Sequence, residues 1–100
     1  MPDAPDLRNV VGFEWDEGNS DKNWVAHQVT QAECEQIFFN LPRVVGRQAG
    51  KTPGEVRFYV LGQTDRGRLL FLVVTIRRQR LRVISARDMT AKERKAYDRH

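Results

Sequence analysis

Between Val56 and Arg87 the sequence reads VRFYVLGQTDRGRLLFLVVTIRRQRLRVISAR, and this stretch decides the fold. Its first six residues alternate: Val56, Phe58 and Val60 take one face of an extended chain, and Arg57, Tyr59 and Leu61 take the other. Gly62 to Gly67 supplies a turn. Arg68 to Ile76 is apolar on both faces, the pattern of a central strand covered from both sides. Arg77 to Arg80 turns the chain into Leu81 to Arg87, where Leu81, Val83, Ser85 and Arg87 alternate with Arg82, Ile84 and Ala86. Three strands joined by short turns are expected to form an antiparallel meander.

Upstream, Arg43 to Val45 reads as a short edge strand and Gly46 to Gly54, with Pro53 and its glycines, as an exposed loop. Thr30 followed three residues later by Glu33 is a capping box, in which each side chain satisfies an otherwise unpaired backbone N–H. A helix is expected over 31–39, with Cys34, Ile37 and Phe38 on the face that meets the core. Before it, 20–28 reads as a short helix capped by Asn19 or Ser20, with Trp24 and either Val25 or His27 facing inward. Val11, Phe13 and Trp15 alternate with polar residues and Gly12 in a first strand over 10–16, and residues 1–9 form a loose lead-in. Downstream, Thr90 and Glu93 make a second capping box that starts a helix running to about residue 98. The expectation is one α+β domain over 10–100: an antiparallel sheet of four to five strands, two helices in the N-terminal half and one at the C-terminus.

One hundred residues suffice for one core and not two. The longest uncharged apolar run, Leu69 to Ile76, is eight residues, far below the roughly 20 that cross a bilayer, so no membrane role is expected. The N-terminus shows no basic flank or apolar stretch of the kind a secretory signal needs, and the expected compartment is the cytoplasm. One cysteine cannot form an internal disulfide, and with two histidines it offers too few ligands for a tetrahedral zinc site; neither metal nor cofactor is expected. Cys34, on the apolar helix face, reads as an inert core residue.

The net charge of +4 hides an asymmetry. Residues 1–50 hold four basic and eight acidic side chains, residues 51–100 thirteen and five. Thirteen of the seventeen basic residues are arginine, whose planar fork grips phosphate in bidentate fashion. That points to phosphate recognition, although a basic surface also attracts polyanions without specificity.

A series of short motifs carries a family resemblance: Phe13-Glu14-Trp15-Asp16-Glu17, then Asn23 and His27, then Gly67-Arg68-Leu69-Leu70-Phe71, then Ile84-Ser85-Ala86-Arg87 before a helix with Glu93-Arg94 and Tyr97. Over roughly residues 12–98 the chain resembles the BrnT-type toxins of bacterial type II toxin–antitoxin pairs. The resemblance implies a RelE-like fold and a ribonuclease that works without metal and stops translation. It also implies neutralisation in a hetero-oligomer with a ribbon-helix-helix, DNA-binding antitoxin, and repression of the shared operon by the complex. Where such toxins usually show Lys-His-Gly, this chain has Ala26-His27-Gln28, which removes a cation and changes the residue that ends the helix.

Metal-free RNA cleavage uses the ribose 2′-hydroxyl as nucleophile, so the protein must help move two protons and stabilise charge on the phosphorane, commonly the largest contribution. Arg57 and Arg87 are the expected phosphate ligands, held by a sheet and charged at every relevant pH. Arg82 is a further candidate, but five residues from Arg87 on a regular strand it faces the opposite side, and both line one site only if a bulge intervenes. His27 matches the family position and has the ordinary pKa of an acid–base catalyst; a histidine closing a helix can equally serve by bonding a carbonyl. Tyr59, on the face of Arg57, can stack on a base, donate a proton, or simply pack with a wet hydroxyl. Arg77, Arg78 and Arg80 in their hairpin would hold RNA backbone if they act at all. Ser85 lacks the surroundings of a nucleophilic serine. The alternative to a nuclease is a catalytically silent RNA-binding or antitoxin-docking module of the same fold; a direct DNA reader is disfavoured, because no helix is basic along one face.

Overall fold

The structure is a computed structural model that describes residues 10–15, 27–48 and 56–99. The expected lead-in over 1–9, the helix over 20–28 apart from His27 and Gln28, and the loop residues 49–54 lie outside them. Among the described residues seven elements follow in order: β1 (Gly12–Glu14), α1 (Gln31–Phe39), β2 (Val44–Gln48), β3 (Arg57–Gln63), β4 (Leu69–Arg77), β5 (Arg80–Asp88) and α2 (Ala91–Tyr97). The strands form one sheet in the order β1-β5-β4-β3-β2. β4, apolar on both sides in sequence, is its central strand.

The sheet is mixed rather than purely antiparallel. β2 to β5 pair antiparallel, but β1 lies parallel to β5, Gly12 opposite Arg80 and Glu14 opposite Arg82. No turn joins β1 to β5; they meet as edges from opposite ends of the chain, so nothing local imposes the antiparallel sense. β2 is also longer than expected, since Gly46 to Gln48 continue the ladder with β3 instead of starting the loop. Gly46 is a strand residue rather than a loop residue, and its missing Cβ leaves room for the Tyr59 ring, which lies 2.4 Å from where a Cβ would stand.

β5 departs from regular alternation. Its register shifts between Val73 and Val74: Ser85 pairs with Val73 and Val83 with Val74, which leaves Ile84 as an extra residue. This β-bulge reverses the alternation expected for Leu81 to Arg87. Leu81, Val83 and Ala86 are buried on one face, while Arg82, Ser85 and Arg87 share the other with their partners Thr75, Val73 and Phe71.

The first face carries the main core. Phe58, Val60, Leu70, Leu72, Val74, Leu81, Val83 and Ala86 meet Val29 and the α1 stripe of Cys34, Ile37 and Phe38. The capping box at Thr30 and Glu33 forms as the sequence predicts. α1 approaches β3 closely at Gly62, where an added Cβ would stand 2.9 Å from that of Ile37. Burial pushes the Cys34 thiol up to about 12, so it remains a neutral core group. On the second face α2 packs Tyr97 beside Leu61 and Met89, and the Tyr97 hydroxyl donates to the Pro42 carbonyl at 2.7 Å. α2 covers only part of this face, and the uncovered remainder positions the site.

Candidate nucleic-acid interface

Side chains of paired residues share a face, so the register lays out the second face in rows. One row crosses all five strands: Gln48, Arg57, Thr75, Arg82 and Glu14. The next holds Gly46, Tyr59, Val73 and Ser85, and the third Val44, Leu61, Phe71 and Arg87. On the other side of the first row Arg77 and Arg80 face each other next to the turn of the β4–β5 hairpin. Alternation along β4 and β5 therefore brings Arg57, Arg77, Arg80, Arg82 and Arg87 to one surface, with Tyr59 among them. Arg78 stands in the turn itself, where it and Gln79 take φ of 53° and 64°.

Carboxylates of described residues hold Arg77, Arg82 and Arg87. Glu14 Oε1 accepts from Arg82 Nη1 at 2.9 Å and from Arg77 Nη1 at 3.3 Å, so the edge strand β1 orients two guanidinium groups. Arg87 makes a bidentate pair with Glu93 of α2, Nη1 to Oε1 at 2.8 Å and Nη2 to Oε2 at 2.9 Å. Its Cζ also lies 4.1 Å from the Phe71 ring centroid, and Phe71 in turn stacks against Tyr59 at 6.1 Å and 9°. The Arg87 hydrogen bond holds the Glu93 carboxyl below the ordinary carboxylate range, and the reciprocal bond holds the guanidinium charged. Arg57 and Arg87 are four residues apart along the strands, about 13 Å, and two strands apart across them, so they flank the face rather than meet at one phosphate.

His27 stands apart from the first row. It is exposed, and its backbone carbonyl accepts from Arg68 Nη2 at 3.2 Å. Arg57 pairs at one end of the β3–β4 ladder, and Arg68 lies just past the other, about 20 Å along the strands. Arg68 is a clamp: it donates to Asp88 through Nε at 2.8 Å, to Glu33 through Nη1 at 3.0 Å and to the Gln28 carbonyl at 3.0 Å. It thus fastens the His27–Gln28 segment, the start of α1 and the end of β5 to one guanidinium. Its hydrogen bond is the main cause holding Asp88 below the ordinary carboxylate range, with His27 and Arg94 adding to the effect. Glu33 is also held low: burial acts to raise it, but the Thr30 backbone and Arg68 outweigh that. Because Asp88 directly follows Arg87, His27 belongs to the Arg87 end of the sheet.

Sequence reasoning missed Glu14, Arg68 and Glu93 as positioning residues. Glu14 and Arg68 sat in the motifs that carry the family resemblance, and Glu93 was visible only as a capping residue. Among the described residues no three His, Cys, Asp or Glu side chains gather as a metal-ion set would, and no helix is long and apolar enough to cross a membrane.

Comparison with known proteins agrees with the motifs. Residues 15–93 match the family model described as ribonuclease toxin, BrnT, of type II toxin-antitoxin system. A search of curated proteins returned no match. Since well over half of its length fits that model, a stretch that includes α1 and β2 to β5, the chain belongs to the BrnT family of ribonuclease toxins.

Proposed function

We propose that the chain is a metal-independent endoribonuclease with a RelE-like fold that inhibits translation in the cytoplasm, with single-stranded RNA lying along the arginine face. Arg57 and Arg82, helped by the hairpin residues Arg77, Arg78 and Arg80, bind the backbone on one side, and Arg87 binds the phosphodiester that is cut. The 2′-hydroxyl attacks that phosphorus and the 5′-oxygen leaves. Arg87 stabilises the added negative charge, an interaction that strengthens as the phosphorane forms. His27, at the same end of the sheet, moves a proton, and Tyr59 stacks on a base. The observation that carries this reading is the bulge at Ile84, which turns Arg82 and Arg87 to the same side. A chain selected only for solubility has no need to gather five guanidinium groups on one face, where they repel one another.

The partner is an antitoxin of ribbon-helix-helix type, which neutralises the toxin by covering the same face with an acidic and apolar segment that folds on binding. The complex represses its own operon.

One observation favours the silent-module alternative: the fork of Arg87 is already filled by the Glu93 carboxylate. Expression of the toxin without its antitoxin separates the two. A nuclease arrests growth and Arg87→Ala relieves the arrest, whereas a harmless wild-type chain that still captures its antitoxin supports the docking module.

A further inference from the structure

Beside Arg87 the second face sinks into a groove of about 360 Å³ between the sheet and α2, lined by Gln48, Tyr59, Leu61, Phe71, Lys92 and Glu93. We propose that this groove is a nucleobase subsite, which deepens the RNA-cleaving reading above and rests on it: it takes one unstacked base of the RNA whose phosphate lies at Arg87. Three features of its construction fit a base better than an apolar peptide side chain.

The lining rings are parallel and fixed. Tyr59 lies against Gly46, which has no Cβ to push it away, and its ring is parallel to that of Phe71 with the centroids 6.1 Å apart, while Phe71 also meets the Arg87 guanidinium. Sequence-specific proteins hold RNA bases against such aromatic and guanidinium planes after splaying them from the strand. The polar groups are few and converge from two sides, as in small-molecule sites: the Gln48 amide, with donor and acceptor side by side, on β2, and the Lys92 ammonium with the Glu93 carboxylate on α2. A side-chain amide matches the paired donor and acceptor on a base edge, which an apolar peptide side chain lacks. Finally, Phe71 links groove and arginine directly, so a nucleotide with its base in the groove has its phosphate within reach of Arg87. On this reading Gln48 sets the order of preference among the four bases.

The test uses the full chain, isotope-labelled, titrated with each of the four nucleoside 3′-monophosphates and separately with inorganic phosphate. The proposal expects the nucleotides to shift the Tyr59 ring signals and the Gln48 side-chain amide, and phosphate alone, which meets Arg87 and so can disturb Phe71, to leave Tyr59 and Gln48 in place. Gly46→Ala displaces the Tyr59 ring, and Tyr59→Leu removes it while keeping an apolar group. Each should weaken nucleotide binding roughly tenfold, the loss expected for a stacked base. Gln48→Ala should change the rank order of the four nucleotides. Identical responses to nucleotides and to phosphate overturn the subsite, as does full affinity in a folded Tyr59→Leu chain. A chain that cuts RNA without ring shifts also sinks the subsite alone. Base-dependent ring shifts in a chain that never cuts RNA support the subsite and sink the nuclease.

Discussion

In the proposed mechanism the pair between Arg87 and Glu93 sets how available Arg87 is to phosphate, and Glu93→Gln separates the two roles of the glutamate. Glu93 is also the third residue of α2, where Oε1 accepts from the Thr90 backbone N–H at 2.9 Å, and glutamine serves that cap as well as glutamate. The substitution therefore keeps the helix start and removes only the charge that neutralises Arg87. Both side chains are partly exposed, at 34% and 21%, so the lost pair costs about 1 kcal/mol or less and a few degrees in Tm. RNA binding moves the other way. One released cation adds about 0.7 to the slope of log affinity against log salt for a single strand, which over the decade from 1 M to 0.1 M amounts to about a fivefold gain. The assay is fluorescence anisotropy across a salt series, with an RNA whose 2′-hydroxyls are methylated so that it cannot be cut. An unchanged slope, or weaker binding at 0.1 M salt in a folded Glu93→Gln chain, refutes the claim that Arg87 is a phosphate ligand held in reserve by α2.

Three further outcomes follow from the fold. Gly62→Ala forces a Cβ to 2.9 Å from Ile37 where α1 crosses β3, and chemical denaturation should show a loss of about 1–3 kcal/mol; an unchanged midpoint would mean that α1 moves away freely. Gln28 holds a φ of 55°, so Gln28→Gly should stabilise by about 1 kcal/mol, and a less stable variant would show that the side chain compensates for the strain. Glu33, Asp88 and Glu93 all titrate below their ordinary values of 4.5, 3.8 and 4.5, so the folded chain binds fewer protons than the unfolded one. Their contribution is complete above about pH 5 and is lost as acid carries the pH down through the folded values. Tm should fall steeply below pH 4.5 and less so in Arg68→Gln, whereas equal slopes would remove Arg68 as the clamp.

Much of this architecture is legible in the sequence because local rules write it there. Both capping boxes, the Cys34–Ile37–Phe38 stripe and the alternation of β3 depend on residues within one turn or one strand of each other. What was not legible depends on partners distant in the chain. Nothing near Gly12 says that β1 meets β5 and runs parallel to it. The run Val83-Ile84-Ser85 carries no glycine or turn residue to announce a bulge, so the parity of Arg82 and Arg87 could be stated only as a condition. Arg68 looked like a residue at the edge of a turn because its acceptors come from three separate segments. The pairing of Arg87 with Glu93 depends on the angle at which α2 leaves β5, which spacing alone does not give.

The proposal that one surface binds and cuts RNA through guanidinium groups is tested most directly by the ends of the products. The purified chain, incubated with a single-stranded RNA in excess EDTA, should leave 5′-hydroxyl and 2′,3′-cyclic phosphate ends, and Arg87→Ala should reduce the rate by at least about a hundredfold, the cost of removing one such charge-stabilising donor. Cleavage that leaves 5′-phosphate ends, or that proceeds undiminished in Arg87→Ala, would contradict it.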